Sequence, residues 1–306
     1  MSTDAMSSKR KVLVVGAGRV GAMACVAMER SGMASATAVP RWNYQKVLQD
    51  GFKGSVSHGR LSAWWPTRVT PGHTTIILIQ NGIYIKPPFI EVRPSNALLS
   101  GASYIGAHEH NGHILPDDPD RFHVGSFRNP QLDPPYERQR LEDFAAVYSS
   151  SKAVEAEIVS DILHYRWRKL LWNGVFNPTC ATTQLDSAAI RQFNAGNSLI
   201  RPGMAEMAVI AKSDGYDLGE GIVDEMVDVT PIELSFRPSM LIDMDKENPL
   251  ESEVILGNAL RVARKNSVDT PILDNTYRML KLVLARLLAA QGYIREPKEI
   301  PMTDFI

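Results

Sequence analysis

Residues 11–15 read KVLVV and run without a break into Gly16-Ala17-Gly18-Arg19-Val20-Gly21. A continuous β-branched and aliphatic run of this kind suits a strand covered on both faces of a parallel sheet. The next stretch, Ala22 to Gly32, is rich in Ala and Met and reads as a helix closed by a glycine. A G-x-G-x-x-G set between strand and helix has a physical logic. The first glycine permits a tight turn, the second lets a pyrophosphate approach the backbone, and the third lets the helix pack closely on the strand. The helix start then offers free N–H groups and a positive dipole end to phosphates. This predicts a dinucleotide site built from Gly16, Gly18, Arg19, Val20 and Gly21; the plain alternative is an inherited turn that holds no ligand. An NAD site usually places a carboxylate about 20 residues on, at the end of the second strand. Here that stretch is Ala38-Val39-Pro40-Arg41, with no acid. The Arg41 guanidinium suits a 2′-phosphate, which favours NADP over NAD; the alternative is a solvated surface arginine.

The remaining pattern divides the chain. Ala36 to Val39 reads as a second strand and Tyr44 to Gln49 as a helix, followed by Gly-, Ser- and Trp-rich sequence without a period. Thr74 to Ile79 (TTIILI) reads as a buried strand ending in the turn signal Gln80-Asn81-Gly82. Leu98 to Ile105 and His113 to Gly125 read as strands, and 128–137 as a Pro-rich loop. From about Leu141 the period turns helical, most clearly at Asp161–Asn173, Leu199–Asp214, Leu250–Asn266 and Ile272–Gln291. The expected architecture is an α/β dinucleotide-binding domain over 1–160 and an all-helical domain over 161–306. A chain of 306 residues with 44% hydrophobic content has ample material for such cores. Lys+Arg is 33 against Asp+Glu 34, so no basic excess points to nucleic acid or a membrane surface. No run approaches the ~18–20 apolar residues that span a bilayer, and the polar opening MSTDAMSSKR lacks the apolar middle of a secretion signal. Two distant cysteines, Cys25 and Cys180, imply no disulfide framework, and the cytoplasm is the expected compartment.

Lys169, Asn173 and Asn177 are spaced i, i+4, i+8, which predicts one helical face. They interrupt an apolar stretch (Leu170, Leu171, Trp172, Val175, Phe176), where polar groups are costly unless they meet partners or a ligand. An ammonium group aimed at a ketone oxygen stabilises the negative charge that hydride addition builds there, and can supply the proton. The alternative is a polar stripe at an interdomain seam. His108, His110 and His113 surround Asn111-Gly112, a strong hairpin signal, so exposed hairpin histidines are preferred to a metal site, and no metal is expected. Trp64-Trp65 either plugs a gap or lines an apolar pocket. Cys180 has no neighbouring His or Asp motif and reads as a buried, inert thiol.

Four segments, VLVVGAGRVG, LIQNG at 78–82, RWRKLLWNGVFNP at 166–178, and RPSMLIDMDKENPLESEVILGNALRVARKNSVDTP at 237–271, occur in the order found in the ketopantoate reductase (2-dehydropantoate 2-reductase) family, which the chain resembles over most of its length. The resemblance implies an N-terminal Rossmann domain and a C-terminal helical domain with the active site between them. It implies reduction of a 2-oxo acid to a 2-hydroxy acid with NADPH, by default 2-dehydropantoate to pantoate for pantothenate and coenzyme A. It implies that Lys169 is the catalytic lysine and that Asn81 lies beside nicotinamide and substrate. Asn173, Asn177 and Ser239 are implied to face substrate, and Glu251 matches the family's glutamate, which would orient Lys169 or bind a substrate hydroxyl. The expected partner is a small-molecule substrate, and the long C-terminal helices offer a surface for a homodimer. Two departures stand out. Only 32 residues separate Arg41 from Thr74, less than a strand–helix–strand crossover and its flanks require, which reads as a deletion in the Rossmann half. Gln184-Leu185-Asp186-Ser187 and PLESE also depart from the family pattern. An alternative therefore stays open: a repurposed member acting as a non-redox enzyme or binding protein in specialised metabolism.

Overall fold

In the computed structural model the described residues are 9–16, 19–39, 69–104, 107–110, 113–116, 120–150 and 153–294. Gly18, Arg41, Trp64, Trp65, the Asn111-Gly112 turn and the helix expected near 44–49 lie outside them, as do the side chains of Arg19, His108, His110 and His113. The chain divides into two compact units. One takes the residues up to Gln80 and Lys86–Ile162; the other takes Asn81–Ile85 and the residues from Leu163 onward.

In the first unit β1 (Arg10–Val15) leads through the glycine turn into α1 (Arg19–Arg30) and returns as β2 (Ala34–Val39). β1 and β2 pair in parallel from Arg10↔Ala34 to Val15↔Val39. Small side chains make this possible: Ala22, Ala24, Ala27 and Met28 of α1 are buried, so the helix lies close on its sheet. β3 (Ile76–Leu78), α2 (Pro87–Val92), β4 (Leu98–Ser103), β5 (Ala107–His110), β6 (His113–Pro116), β7 (Asp120–Ser126), α3 (Pro134–Ser149) and β8 (Val154–Ile158) complete the unit. Among the described residues β3-β4-β7-β8 form one sheet, with β4 and β7 antiparallel and the outer pairs parallel; β5 and β6 form a separate antiparallel pair with His110 opposite His113. Phe122 packs edge-on against Tyr148 at 4.9 Å, Phe144 stacks on Tyr148 at 5.2 Å, and both helical aromatics lie on α3. Gly101 of β4 is small because a Cβ there would lie 2.0 Å from the Phe122 ring.

Three expectations change here. The loop expected over 128–137 ends early, because Pro134 and Pro135 occupy the first turn of α3, where a missing N–H costs nothing. The strand expected over 113–125 divides into β6 and β7. The helical period expected from Leu141 is interrupted by β8, whose VEAEI alternates apolar and acidic residues; Val154 is buried and Glu155 exposed, a period of two.

The second unit consists of α4 (Ile162–Asn173), α5 (Phe176–Thr183), α6 (Ser187–Gln192), α7 (Arg201–Ser213), α8 (Ile222–Asp228), α9 (Ser239–Asp245), α10 (Asn258–Lys265) and α11 (Pro271–Ala290), with α4 starting one residue before it. Wide π turns at Gly196–Ile200 and Glu253–Gly257 run directly into α7 and α10. The core gathers Trp167, Leu170, Leu171, Phe176, Met204, Met207, Leu256 and Leu280, all buried, together with Ile83 of the Asn81–Ile85 segment. Glu206 of α7 accepts from the Ile272 and Leu273 amides at 3.0 and 2.9 Å, capping the start of α11 from a neighbouring helix. Among the described residues no helix is long and apolar enough to cross a membrane.

Candidate active site

Of the glycine motif, Gly16 and Gly21 are described. Gly16 has φ +95 and its amide donates to Val39 O at 2.9 Å, so the chain leaves β1 through a turn that a side chain resists. A Cβ on Gly21 would lie 1.8 Å from Gly16 O. The third glycine is thus required where α1 crosses the end of β1, and α1 begins at Arg19 with its first amides unused by the helix itself. A helix N-terminus of this kind offers free amides and a positive dipole end to an anion.

The polar residues form two groups, both within the second unit. In the first, Asn81 is central. Its Oδ1 accepts from Lys169 Nζ at 3.0 Å and lies 3.4 Å from Asn173 Nδ2, while its Nδ2 donates to Glu251 Oε2 at 3.0 Å. The amide orientation follows from chemistry: an ammonium needs an acceptor and a carboxylate needs a donor. A single amide therefore stands between a cation and an anion separated by 82 residues of chain, and all four side chains are partly exposed. An ammonium held at this point can donate to an oxygen that gains negative charge.

The second group is Asn177 with Ser239. Asn177 is buried, and its Oδ1 accepts from the Met240 amide at 3.2 Å and lies 3.4 Å from Ser239 Oγ. It ties α5 to the start of α9. The expected single face of Lys169, Asn173 and Asn177 is therefore not continuous. α4 ends at Asn173 and α5 begins at Phe176. Pro178 has no N–H to give the Gly174 carbonyl four residues back, and its ring crowds that carbonyl, so the helix breaks there. Gly174 suits the break, because a Cβ on it would meet Met207 Cε at 2.6 Å and Leu170 O at 2.7 Å. The proline was visible in the sequence as the signal for this break.

Apart from the turn signal at Gly82, sequence patterns did not point to the residues that hold Asn81 in place. Gly82 has φ +89, and a Cβ there would lie 2.1 Å from Val254 O. The Ile83 amide donates to Val254 O at 3.1 Å, Ile83 O accepts from Asn258 Nδ2 at 2.7 Å, and Tyr84 OH donates to Asp214. Burial and the Asp214 carboxylate push the Tyr84 phenol up, so it remains a donor. The same π turn that receives Ile83 carries Glu253, which accepts from Tyr277 OH at 2.5 Å, Lys281 Nζ at 3.0 Å and Arg261 Nη2 at 2.6 Å. The Tyr277 hydroxyl, then Lys281 and Arg261, hold the Glu253 carboxyl below the usual carboxylate range. Cys180 is buried, and burial together with Asp186 pushes its thiol up to about 12, which leaves it protonated and unreactive.

The chain is similar to several known proteins. Residues 161–284 match the family model described as ketopantoate reductase PanE/ApbA C terminal. An uncharacterized protein of Saccharomyces cerevisiae is 28% identical over 93% of this chain and 96% of its own; the match runs over 347 residues, so that relative carries segments this 306-residue chain lacks. A 2-dehydropantoate 2-reductase of Nostoc is 25% identical over 69% of this chain, which spans 66% of that enzyme's length. Among solved structures, 2-dehydropantoate 2-reductase from Methylococcus capsulatus superposes with a TM-score of 0.72 at 26% identity, over 90% of this chain and 97% of that one.

Proposed function

Since the chain belongs to the ketopantoate reductase family, we propose that it is an oxidoreductase that reduces the ketone of a small 2-oxo acid, with a nicotinamide dinucleotide as hydride donor. The observation that carries this reading is Lys169 Nζ held on Asn81 Oδ1, with Asn81 bonded in turn to Glu251. The bound nicotinamide supplies a hydride. Lys169 presents its ammonium to the ketone oxygen, offsets the charge that grows there and gives up a proton to the alkoxide. Asn81 fixes the Lys169 nitrogen by accepting a hydrogen bond from it. Asn173, on the same face of α4, has a second amide proton available to a substrate oxygen. Ser239 is the substrate contact of the second group, with Asn177 orienting it at the start of α9. Gly16, Gly18, Arg19, Val20 and Gly21 take the pyrophosphate, and Arg41 would select NADPH by pairing with its 2′-phosphate. Reduction of 2-dehydropantoate to pantoate, in the cytoplasm and by a homodimer, is the default extension of this reading.

A second reading has one observation in its favour: the yeast relative is longer than this chain, and the sequence places a shortening in the Rossmann half. A member that had lost the dinucleotide would act as a non-redox enzyme or binding protein. Calorimetric titration with NADPH and with NADH separates the two. Tight binding that favours NADPH, followed by loss of nicotinamide absorbance on adding ketopantoate or another 2-oxo acid, is the expected result. A folded protein that binds neither nucleotide would overturn the reductase reading.

A further inference from the structure

Arg166 is buried with 4% exposure, although a charged side chain is costly to bury without hydrogen bonds. Its Nη1 donates to Gly82 O at 2.7 Å. Gly82 is the residue after Asn81, and Arg166 lies one helical turn before Lys169 on α4. The helix therefore touches two successive residues of the Asn81–Ile85 segment from one face: Arg166 on the Gly82 carbonyl, and Lys169 and Asn173 on the Asn81 amide. The far side of the segment is fixed by the Val254 carbonyl and by Asn258. We propose that Arg166 is a positioning residue for the reaction. It sets the height of Gly82 against α4, so that the Asn81 amide falls between Lys169 and Glu251. The guanidinium suits this task because it stays charged at any working pH, and its rigid fork holds a carbonyl at a fixed angle.

This inference rests on the reductase reading for its kinetic consequence, but not for its structural one. A group held about 1 Å out of place loses on the order of 100-fold in rate. The test uses the full-length protein with Arg166→Met and Arg166→Lys. Hydrogen–deuterium exchange would be followed over the peptide containing 81–85 and, as an internal reference, over α7. Turnover of NADPH with a 2-oxo acid would be followed in parallel. We expect Arg166→Met to speed exchange of the Ile83 amide at least about tenfold with α7 unchanged, and to lower kcat by about 10–100-fold with KM and NADPH affinity within about threefold. Arg166→Lys, which keeps a donor, should recover part of both effects. If Arg166→Met does not fold, Arg166→Lys alone decides the question by the same two readouts, with smaller changes of the same sign. Unchanged exchange in a folded variant overturns the proposal. So does faster exchange with wild-type kcat, or a loss that falls on KM alone. If wild-type protein turns over no 2-oxo acid, the reductase reading fails, while the exchange arm still decides whether Arg166 holds the segment.

Discussion

The turn after β1 and the Asn81–Ile85 segment both depend on glycine, and they use it in opposite ways. At Gly16 and Gly21 the missing side chains are themselves the feature: Gly16 turns the chain at a positive φ, and Gly21 lets α1 close on the end of β1. At Gly82 the missing side chain only clears the way for Val254 O, so that a neighbouring side chain, Asn81, can be delivered to Lys169 and Glu251. One region presents amides, the other presents functional groups. A backbone-built site is insensitive to what its side chains are and intolerant of an added Cβ. A side-chain-built site fails when any one member is truncated.

Substitutions can break this contrast. Lys169→Ala should lower kcat by about 1,000-fold, while calorimetry finds NADPH affinity within a few fold; comparable turnover would remove Lys169 from its assigned role. Gly82→Ala combines a positive φ with a clash against a backbone carbonyl, and should cost about 3 kcal/mol in denaturant unfolding as well as activity. Gly21→Ala should cost about 2 kcal/mol and weaken nucleotide binding, yet leave hydrogen exchange around Asn81 unchanged; a spread of the effect into the second unit would contradict the separation. Glu206→Ala strips the cap of α11 and should cost about 1–2 kcal/mol, read from the shift in urea midpoint at constant slope. The smallest effect belongs to Glu253. Its carboxyl is held below the ordinary glutamate range in the folded protein, so the stability it adds is present above about pH 4.3 and is lost as pH falls through its lowered value. The thermal midpoints of wild type and Glu253→Gln should therefore differ at pH 7 and converge in acid, and a gap that widens on acidification would reverse the sign.

Much of this was legible in the sequence because it rests on period and on glycine. The KVLVV strand, its turn and α1 are local features, and so are the long helices of the second half. β8 was harder to read: its alternation is real, but Glu is depleted in strands and only five residues carry the signal. The α4–α5 break was written in Pro178 and outweighed by the tidy spacing of Lys169, Asn173 and Asn177. That Lys169, Asn81 and Glu251 belong together came from family resemblance, since no periodicity links residues so far apart. Arg166 and Asn258 left no trace at all. Their bonds go to the carbonyls of Gly82 and Ile83, and a carbonyl is the same at every position, so no residue pattern marks the recipient.

The Asn81–Ile85 segment leaves the first unit at Gln80 and rejoins it at Lys86, and Lys169, Asn173 and Glu251, which meet the Asn81 amide among the described residues, belong to the second unit. In genetic terms, the coding sequence for the polar network is five codons plus the downstream half of the gene. An insertion or deletion upstream of those codons falls in the first unit, outside the segments that carry Lys169, Asn81 and Glu251. Selection can therefore revise the first unit and the polar network on separate schedules.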